Sequence, residues 1–432
     1  MVVGVNNTFR GAEPTWANAC VGNNGNPSYV EYSKGFSQAA NVLIKVVLQG
    51  RGLEFNVDDL IYPVCFNMRH SVELRLKGAI EELDDIVKKR GGSVEFDFST
   101  SHDLGKIWGF FKAASESLDY RFRSINKLIE PTIEDIANID ATGQTFRYPV
   151  SNESQKHLTD VSLINFCVLL REFSELEKNL DRLHEISMYL CEEYGCGTYT
   201  SKLNRAQIYK IARQLPPKPT WAAGALDVVK LKVQTEYGLS SNDFGRVLNK
   251  IKEHHYLSTL IGDPVPLLGV SDAQVLAYFD HWVKRHPIDN EAPDFEVFDF
   301  SEESAEKMFA DMAFSARVWA EVWGEISKSL TPEVVAGLRS LFYFARDRRY
   351  VEYYKVIYDY ELEEQKLPGE MERGFKHLFD KTNGLENVII SLFALGRVEL
   401  AEALLAKHRP NYSSIEDARS GALFAYPDYA DY

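Results

Sequence analysis

Apolar residues recur at helical spacing along most of this chain. Between residues 29 and 48 they return every three or four positions, and Gly50 ends the run. The same period continues from about residue 59 to Lys89, with an aspartate pair at the start and Gly91-Gly92 at the end. These patterns predict two consecutive amphipathic helices.

Further helices are predicted along the rest of the first half. We expect them at 102–117, at 120–129 and, as one long amphipathic helix, at 153–191. Pro131 is expected to break continuity after the second of these, because proline removes a helical hydrogen bond. The alternating stretch SVEFDFS, residues 93–99, predicts either a short strand or an extended connection.

The clearest breaks in the pattern are GCGTYTSK and QLPPKPTW, which bracket residues 195–221. Beyond them the helical period resumes, interrupted by a Pro-rich connection at 286–300. At 432 residues, a chain of this kind is expected to form more than one domain. We therefore predict an all-α fold in four parts: an irregular arm (1–28), a helical bundle (29–194), a linker (195–221) and a C-terminal all-helical domain (222–432).

Composition and charge narrow the possible functions. The formal net charge of −15 disfavours a fold-wide basic surface for duplex nucleic acid, although a local basic groove stays open. The longest apolar run, residues 161–170, is too short to cross a bilayer. The five cysteines form no CxxC pair, and Cys191 and Cys196, which could supply half of a metal site, have no second Cys or His pair at ligand spacing. We expect a reduced, cytoplasmic protein without a membrane segment, a metal or a cofactor.

One helical stretch, NMRHSVELRLKG at 67–78, gathers many ionisable groups. At about 100° per residue, Arg69, His70, Glu73 and Lys77 fall within one arc bordered by apolar positions. Such a charged strip is expected where a helix lines a groove. It is equally the pattern of a structural seam, in which paired charges are satisfied inside a bundle.

Three segments in order resemble the landmarks of HEPN (higher eukaryotes and prokaryotes nucleotide-binding) domains. They are residues 60–80 with the element Glu73-Leu-Arg-Leu-Lys77, residues 101–111 with His102-Asp103-Leu104, and FRYPV at 146–150. The resemblance covers about residues 29–192 and implies a bundle of four to five helices. Many HEPN proteins are metal-independent endoribonucleases of bacterial toxin–antitoxin, abortive-infection and other antiphage systems. Others are inert modules that bind RNA or nucleotides, or that dimerise.

The resemblance also implies site residues. Nuclease members carry an arginine followed, after four to six residues, by a histidine; none of the ten histidines here has that spacing, and Arg147 and His157 lie ten positions apart. The candidate catalytic groups, assembled non-locally, are therefore Arg69, His70, Glu73, His102 and Arg147, with Lys77 and Asp103 as binding residues. Two alternatives remain open: the His102 segment serves only to cap a helix, and Arg147 anchors the connection to an acidic helix.

A second basic and aromatic stretch, residues 339–360, suits a single-stranded RNA or a nucleotide, with Arg346 and Arg349 as candidate binding residues. The alternative is core packing, since Tyr350, Tyr354 and Tyr358 share one helix face. Two functions are left open: an antiphage or toxin-like effector that acts on RNA, and a non-catalytic sensor or scaffold. The scaffold would bind RNA, a nucleotide or a partner protein from the same operon. In either case we expect a homodimer formed through the long helix at 161–190.

Overall fold

The computed structural model describes residues 6–22, 24–150, 155–288, 302–346 and 348–432, with 302–305 described as backbone alone. Within these ranges the chain is all-α, which confirms the predicted fold class. The described residues contain one isolated bridge, between Val150 and Lys156, and no longer strand. Residues 93–99 form neither helix nor strand, so the short-strand alternative is wrong.

The chain divides into two compact units, residues 1–192 and 193–432. The helices that begin in the first unit are α1 (Tyr29–Gln49), α2 (Val57–Lys89), α3 (Leu104–Leu118), α4 (Phe122–Asp140) and α5 (Phe166–Gly195).

The core of the first unit is built around α2. Apolar residues spaced three or four positions apart, among them Val72, Leu76 and Ile80, are fully buried on this helix. Asn56 accepts a hydrogen bond from the Asp58 backbone N–H and so caps the first turn. The first helix, α1, packs along α2.

Two predictions about the first unit were wrong. The helix through Pro131 is continuous from Phe122 to Asp140, because Ile129 and Ile133 on either side of the proline lie on one buried face. This packing outweighs the roughly 3 kcal/mol that an interior proline costs. The helix predicted at 153–191 begins instead at Phe166, where Asn165 caps it by accepting from the next backbone N–H groups.

The helices of the second unit are α6 (Arg205–Ala212), α7 (Ala225–Tyr237), α8 (Ser241–Glu253), α9 (His255–Leu260), α10 (Asp272–Arg285), α11 (Glu302–Ile326), α12 (Pro332–Phe344), α13 (Tyr353–Gln365), α14 (Glu370–Phe379), α15 (Gly384–Ala394), α16 (Val398–His408) and α17 (Ser414–Ser420).

The stretch 195–221, predicted as a linker, is instead part of the second unit. It contains α6, whose apolar residues Ile208, Tyr209 and Ile211 are buried in the core of that unit. Asn204 and Gln207 form a capping box at its start, a signal that the surrounding Gly and Pro residues obscured. Most of the Pro-rich connection predicted at 286–300 lies outside the described residues.

Candidate functional site

Three of the four residues in the charged strip of α2 are buried. Arg69, Glu73 and Lys77, one turn apart, are each no more than 3% exposed. Glu73 pairs with Arg69 and, at 3.0 Å, with Lys77. The strip therefore faces the interior of the bundle and does not line an open groove, contrary to that expectation. We refer to Arg69, His70, Glu73, Lys77 and His102 as the Glu73 cluster.

Arg69 ties α2 to the ends of two other helices. Its Nε donates to the Asp140 carbonyl at 3.1 Å, and its Nη2 donates to the Ala141 carbonyl at 2.7 Å. The same Nη2 donates to the carbonyl of His102, just before α3. A guanidinium that serves three carbonyls and one carboxylate has most of its donors occupied. Arg69 consequently holds the start of α3 against the end of α4.

Glu73 remains ionised inside the bundle. Burial by itself would raise the pKa of this carboxyl, but the two histidine rings, the guanidinium and the ammonium group outweigh that effect and hold the pKa well below its ordinary range. Lys77 Nζ also lies 3.5 Å from the Ser99 carbonyl, on the segment that covers this part of α2. The arrangement is that of a paired and hydrogen-bonded ionic seam.

His102 differs from the rest of the cluster because its side chain is 66% exposed. Its Nδ1 lies 2.9 Å from Glu73 Oε1, so the carboxylate fixes the tautomer that carries the proton on Nδ1. The helix cap is supplied by the next residue, Asp103, whose Oδ1 accepts from the Lys106 backbone N–H at 3.0 Å. Capping thus explains Asp103, whereas the His102 ring is held at the surface by a buried carboxylate.

A row of rings connects the cluster to Arg147. His70 packs edge-on against Phe36 and stacks on Phe66, with centroid distances of 4.4 and 5.7 Å. The Arg147 guanidinium lies over Phe66 at 5.4 Å and over Tyr148 at 5.5 Å. Its Nε and Nη2 donate to the Gly143 carbonyl, and these contacts are with a local turn and aromatic rings, not with an acidic helix.

Arg147 also lines a large open groove in the first unit, with a volume of about 1310 Å³. The walls come from the end of α1, the start of α2 and residues within the segments 145–149 and 156–167. Four basic side chains line it: Arg51, Arg147, Lys156 and His157. Among the described lining residues, Asp58 is the one carboxylate. We call this feature the Arg147 groove.

Aromatic surface accompanies these charges. Tyr62 and Tyr148 line the groove and are 48% and 49% exposed, and Phe146, two positions before Tyr148, lines it as well. The Nε2 atom of His157 is buried without a hydrogen-bond partner among the described residues. Arg147 and His157, ten positions apart in sequence, therefore line one groove.

Sequence reasoning missed most of this groove. Arg51, Tyr62 and Lys156 come from separate segments that carry no shared motif, so no spacing joins them. The one available signal is FRYP, where an arginine stands between two aromatic residues. Only the folded chain brings these segments together.

Arg346 and Arg349, the other candidate binding residues, belong to the second unit, where both are exposed. Arg346 lies over the Tyr343 ring at 5.7 Å. Tyr350 and Tyr354 are fully buried, in line with the core-packing alternative, although Tyr358 is only partly buried and Tyr350 lies before α13 begins. A ligand-binding role for the two arginines stays a prediction.

No family model, no curated protein and no solved structure matches this chain. The HEPN-like character of the first unit accordingly remains a prediction from its motifs. In the part of the chain that the structure describes, the helices are all too short or too polar to cross a membrane. The same residues contain no group of three or more potential ligands arranged around a metal site.

Proposed function

We propose that the first unit is a HEPN-like module that binds single-stranded RNA in the Arg147 groove, and that the Glu73 cluster stabilises the fold that forms this groove. The observation that carries the proposal is the composition of the groove: four basic groups and two half-exposed tyrosines in a chain of net charge −15. This is the second of the two functions that the sequence left open.

The groove has the two features that single-stranded nucleic acids require. Cations attract the phosphate backbone, and exposed rings such as Tyr62 and Tyr148 stack on unpaired bases. Arg147 combines both, since its guanidinium lies over an aromatic ring. A duplex would hide the base faces from these tyrosines, and its additional phosphates would be repelled by a chain of net charge −15.

The buried seam argues against catalysis by the charged strip. A scissile phosphate attacked by the ribose 2′-hydroxyl would need Arg69 or Lys77 to stabilise its developing charge, but both side chains are buried and bonded to Glu73. Releasing either one would leave an unpaired carboxylate inside the bundle, which is costly. A structural role therefore accounts better for these three residues than direct contact with substrate does.

A second candidate function is metal-independent RNA cleavage, and one observation favours it. His102 is exposed, and its Nδ1 is held by a buried carboxylate, which is how a general base is commonly oriented. In this case the protein would be an RNA-cleaving effector of a bacterial defence or toxin system. In the favoured case it would be a cytoplasmic sensor or scaffold of such a system, acting with a partner protein or as a homodimer.

Fluorescence anisotropy with a labelled single-stranded RNA tests the binding proposal. We expect saturable binding. The plot of the logarithm of the binding constant against the logarithm of salt concentration should become less steep by about 0.7 in Arg147→Gln, because this variant removes one phosphate contact. Tyr148→Ala should also weaken binding, because stacking contributes roughly 1–3 kcal/mol per base. The matched control is Arg171→Gln, an exposed arginine of α5 that does not line the groove.

Equal binding by wild type and by both groove variants would overturn the proposal. The cleavage alternative is tested on the same RNA in the presence of EDTA. RNA that is bound but stays intact supports the module, whereas cleavage that is lost in His102→Ala supports the effector.

A further inference from the structure

The second unit contains a cavity that shares no lining residue with the Arg147 groove of the first unit. Its volume is about 520 Å³, within the range of pockets for small ligands. Five aromatic side chains line it: Tyr209, Tyr256, Phe424, Tyr426 and Tyr432. We call it the Tyr426 cavity. A space of this size accepts one small molecule and not a nucleic-acid strand.

The aromatic wall is held in place by a buried cation. Arg205, which is 1% exposed, donates to the phenolic oxygens of Tyr209, Tyr426 and Tyr432 at 2.6, 3.1 and 2.6 Å. The rings of Tyr426 and Tyr432 stack with their centroids 3.9 Å apart. Because the rings are fixed before a ligand arrives, binding costs little side-chain entropy.

The charge of Arg205 is balanced on its other side. Glu352 accepts from Arg205 Nε at 2.8 Å and from Nη2 at 3.0 Å, and its carboxylate also lies 3.2 Å from His254 Nε2. His254 Nδ1 accepts the backbone N–H groups of Tyr256 and Leu257. Its proton is therefore on Nε2, facing the carboxylate. This network fixes the wall and leaves ligand contacts to other residues.

The cavity is lined by charged side chains of both signs. Arg213 and Arg348 supply cations, and the Arg348 guanidinium is oriented by the Ala345 carbonyl at 2.7 Å. Of the two lining carboxylates, Asp431 is paired with Lys210 at 2.7 Å, and Asp428 is exposed. The cavity thus combines flat apolar walls, two cations and one carboxylate available to accept hydrogen bonds.

We infer that the Tyr426 cavity binds a ribonucleoside 5′-monophosphate. The base packs on the tyrosine wall, the phosphate accepts hydrogen bonds from Arg213 and Arg348, and the ribose hydroxyls donate to Asp428. Each part of the ligand matches one chemical type of lining residue. Carboxylates that accept from ribose hydroxyls and arginines that bind phosphate are established modes of nucleotide recognition.

Isothermal titration calorimetry of the full chain with AMP, GMP, CMP and UMP tests the inference. We expect at least one to bind, and adenosine and ribose 5-phosphate to bind more weakly because each lacks one set of contacts. Arg213→Gln should raise Kd about ten- to a hundredfold, the range expected for losing a hydrogen bond to a charged group. Asp428→Asn should reduce the preference for the ribonucleotide over its 2′-deoxy form.

Two controls make the result specific. Arg246→Gln changes an exposed arginine of α8 that does not line the cavity, and it should leave Kd within twofold. Arg147→Gln changes the groove of the first unit and should also leave nucleotide binding intact, so the two proposals fail separately. Circular dichroism confirms that each variant is folded. The inference is overturned if no monophosphate binds at millimolar concentration, or if binding is unaffected by Arg213→Gln or lost in Arg147→Gln.

Discussion

Replacing Arg69 with methionine tests whether the buried strip is structural. The substitution keeps an apolar chain of similar length and removes every donor of the guanidinium. The carbonyls of His102 and Asp140 lose the hydrogen bonds that Arg69 supplies, while that of Ala141 keeps a backbone N–H donor. Glu73 loses its guanidinium partner and stays buried.

The expected loss follows from these contacts. Removing one partner of a buried ion pair costs about 3–5 kcal/mol. The two carbonyls alone would account for roughly 1–3 kcal/mol each, which is consistent with this total. For a unit of this size, 1 kcal/mol shifts Tm by about 2–4 °C, so the variant should melt roughly 6–20 °C lower.

Urea unfolding followed by circular dichroism measures this loss. The control is Arg123→Met, an exposed position on α4, which should change the free energy of unfolding by less than about 0.5 kcal/mol. RNA binding by Arg69→Met should match wild type once it is scaled to the folded fraction. A variant that is as stable as wild type but no longer binds RNA would refute the reasoning and make Arg69 a ligand contact.

Three further outcomes are expected. Because the folded-state pKa of Glu73 is depressed, its ionised carboxylate stabilises the fold above the ordinary pKa of 4.5, and this stabilisation is lost on further acidification. The difference in unfolding free energy between wild type and Glu73→Gln, measured by urea unfolding, should therefore narrow below pH 4.5. Burial and nearby positive charges lower the pKa of His255 to about 4, so its neutral form is the stable one. The second unit should lose stability as pH falls from 6.5 to 4, and His255→Gln should reduce that loss in fluorescence-monitored unfolding. Gly396 has a φ of 72°, and an added Cβ would lie 2.5 Å from Thr259 Oγ1. Gly396→Ala should therefore lower the unfolding free energy by about 1–3 kcal/mol, which calorimetry measures.

The helices of this protein follow largely from local signals. The first two helices match the predictions at 29–48 and 59–89 to within two residues, because the apolar period and the end signals are encoded within a few residues. Pro131 did not end its helix, since burial of the flanking isoleucines is a tertiary effect that no local rule contains.

The candidate site was less predictable. The helical wheel correctly grouped Arg69, Glu73 and Lys77 on one arc, but burial of that arc depends on segments 22 to 72 residues away in sequence. The Arg147 groove has the same limitation, because its basic and aromatic residues come from separate parts of the chain. Long-range packing decides which charged groups are accessible to solvent, and the local patterns of a single sequence do not show that packing.

The most direct test of RNA binding in the Arg147 groove is photo-crosslinking of a 4-thiouridine-labelled single-stranded RNA, followed by mass spectrometry of the crosslinked peptides. We predict that adducts concentrate on peptides containing Tyr62 and Tyr148, and that Arg147→Gln reduces them while Arg171→Gln does not. Efficient crosslinking confined to residues 193–432 would contradict the account.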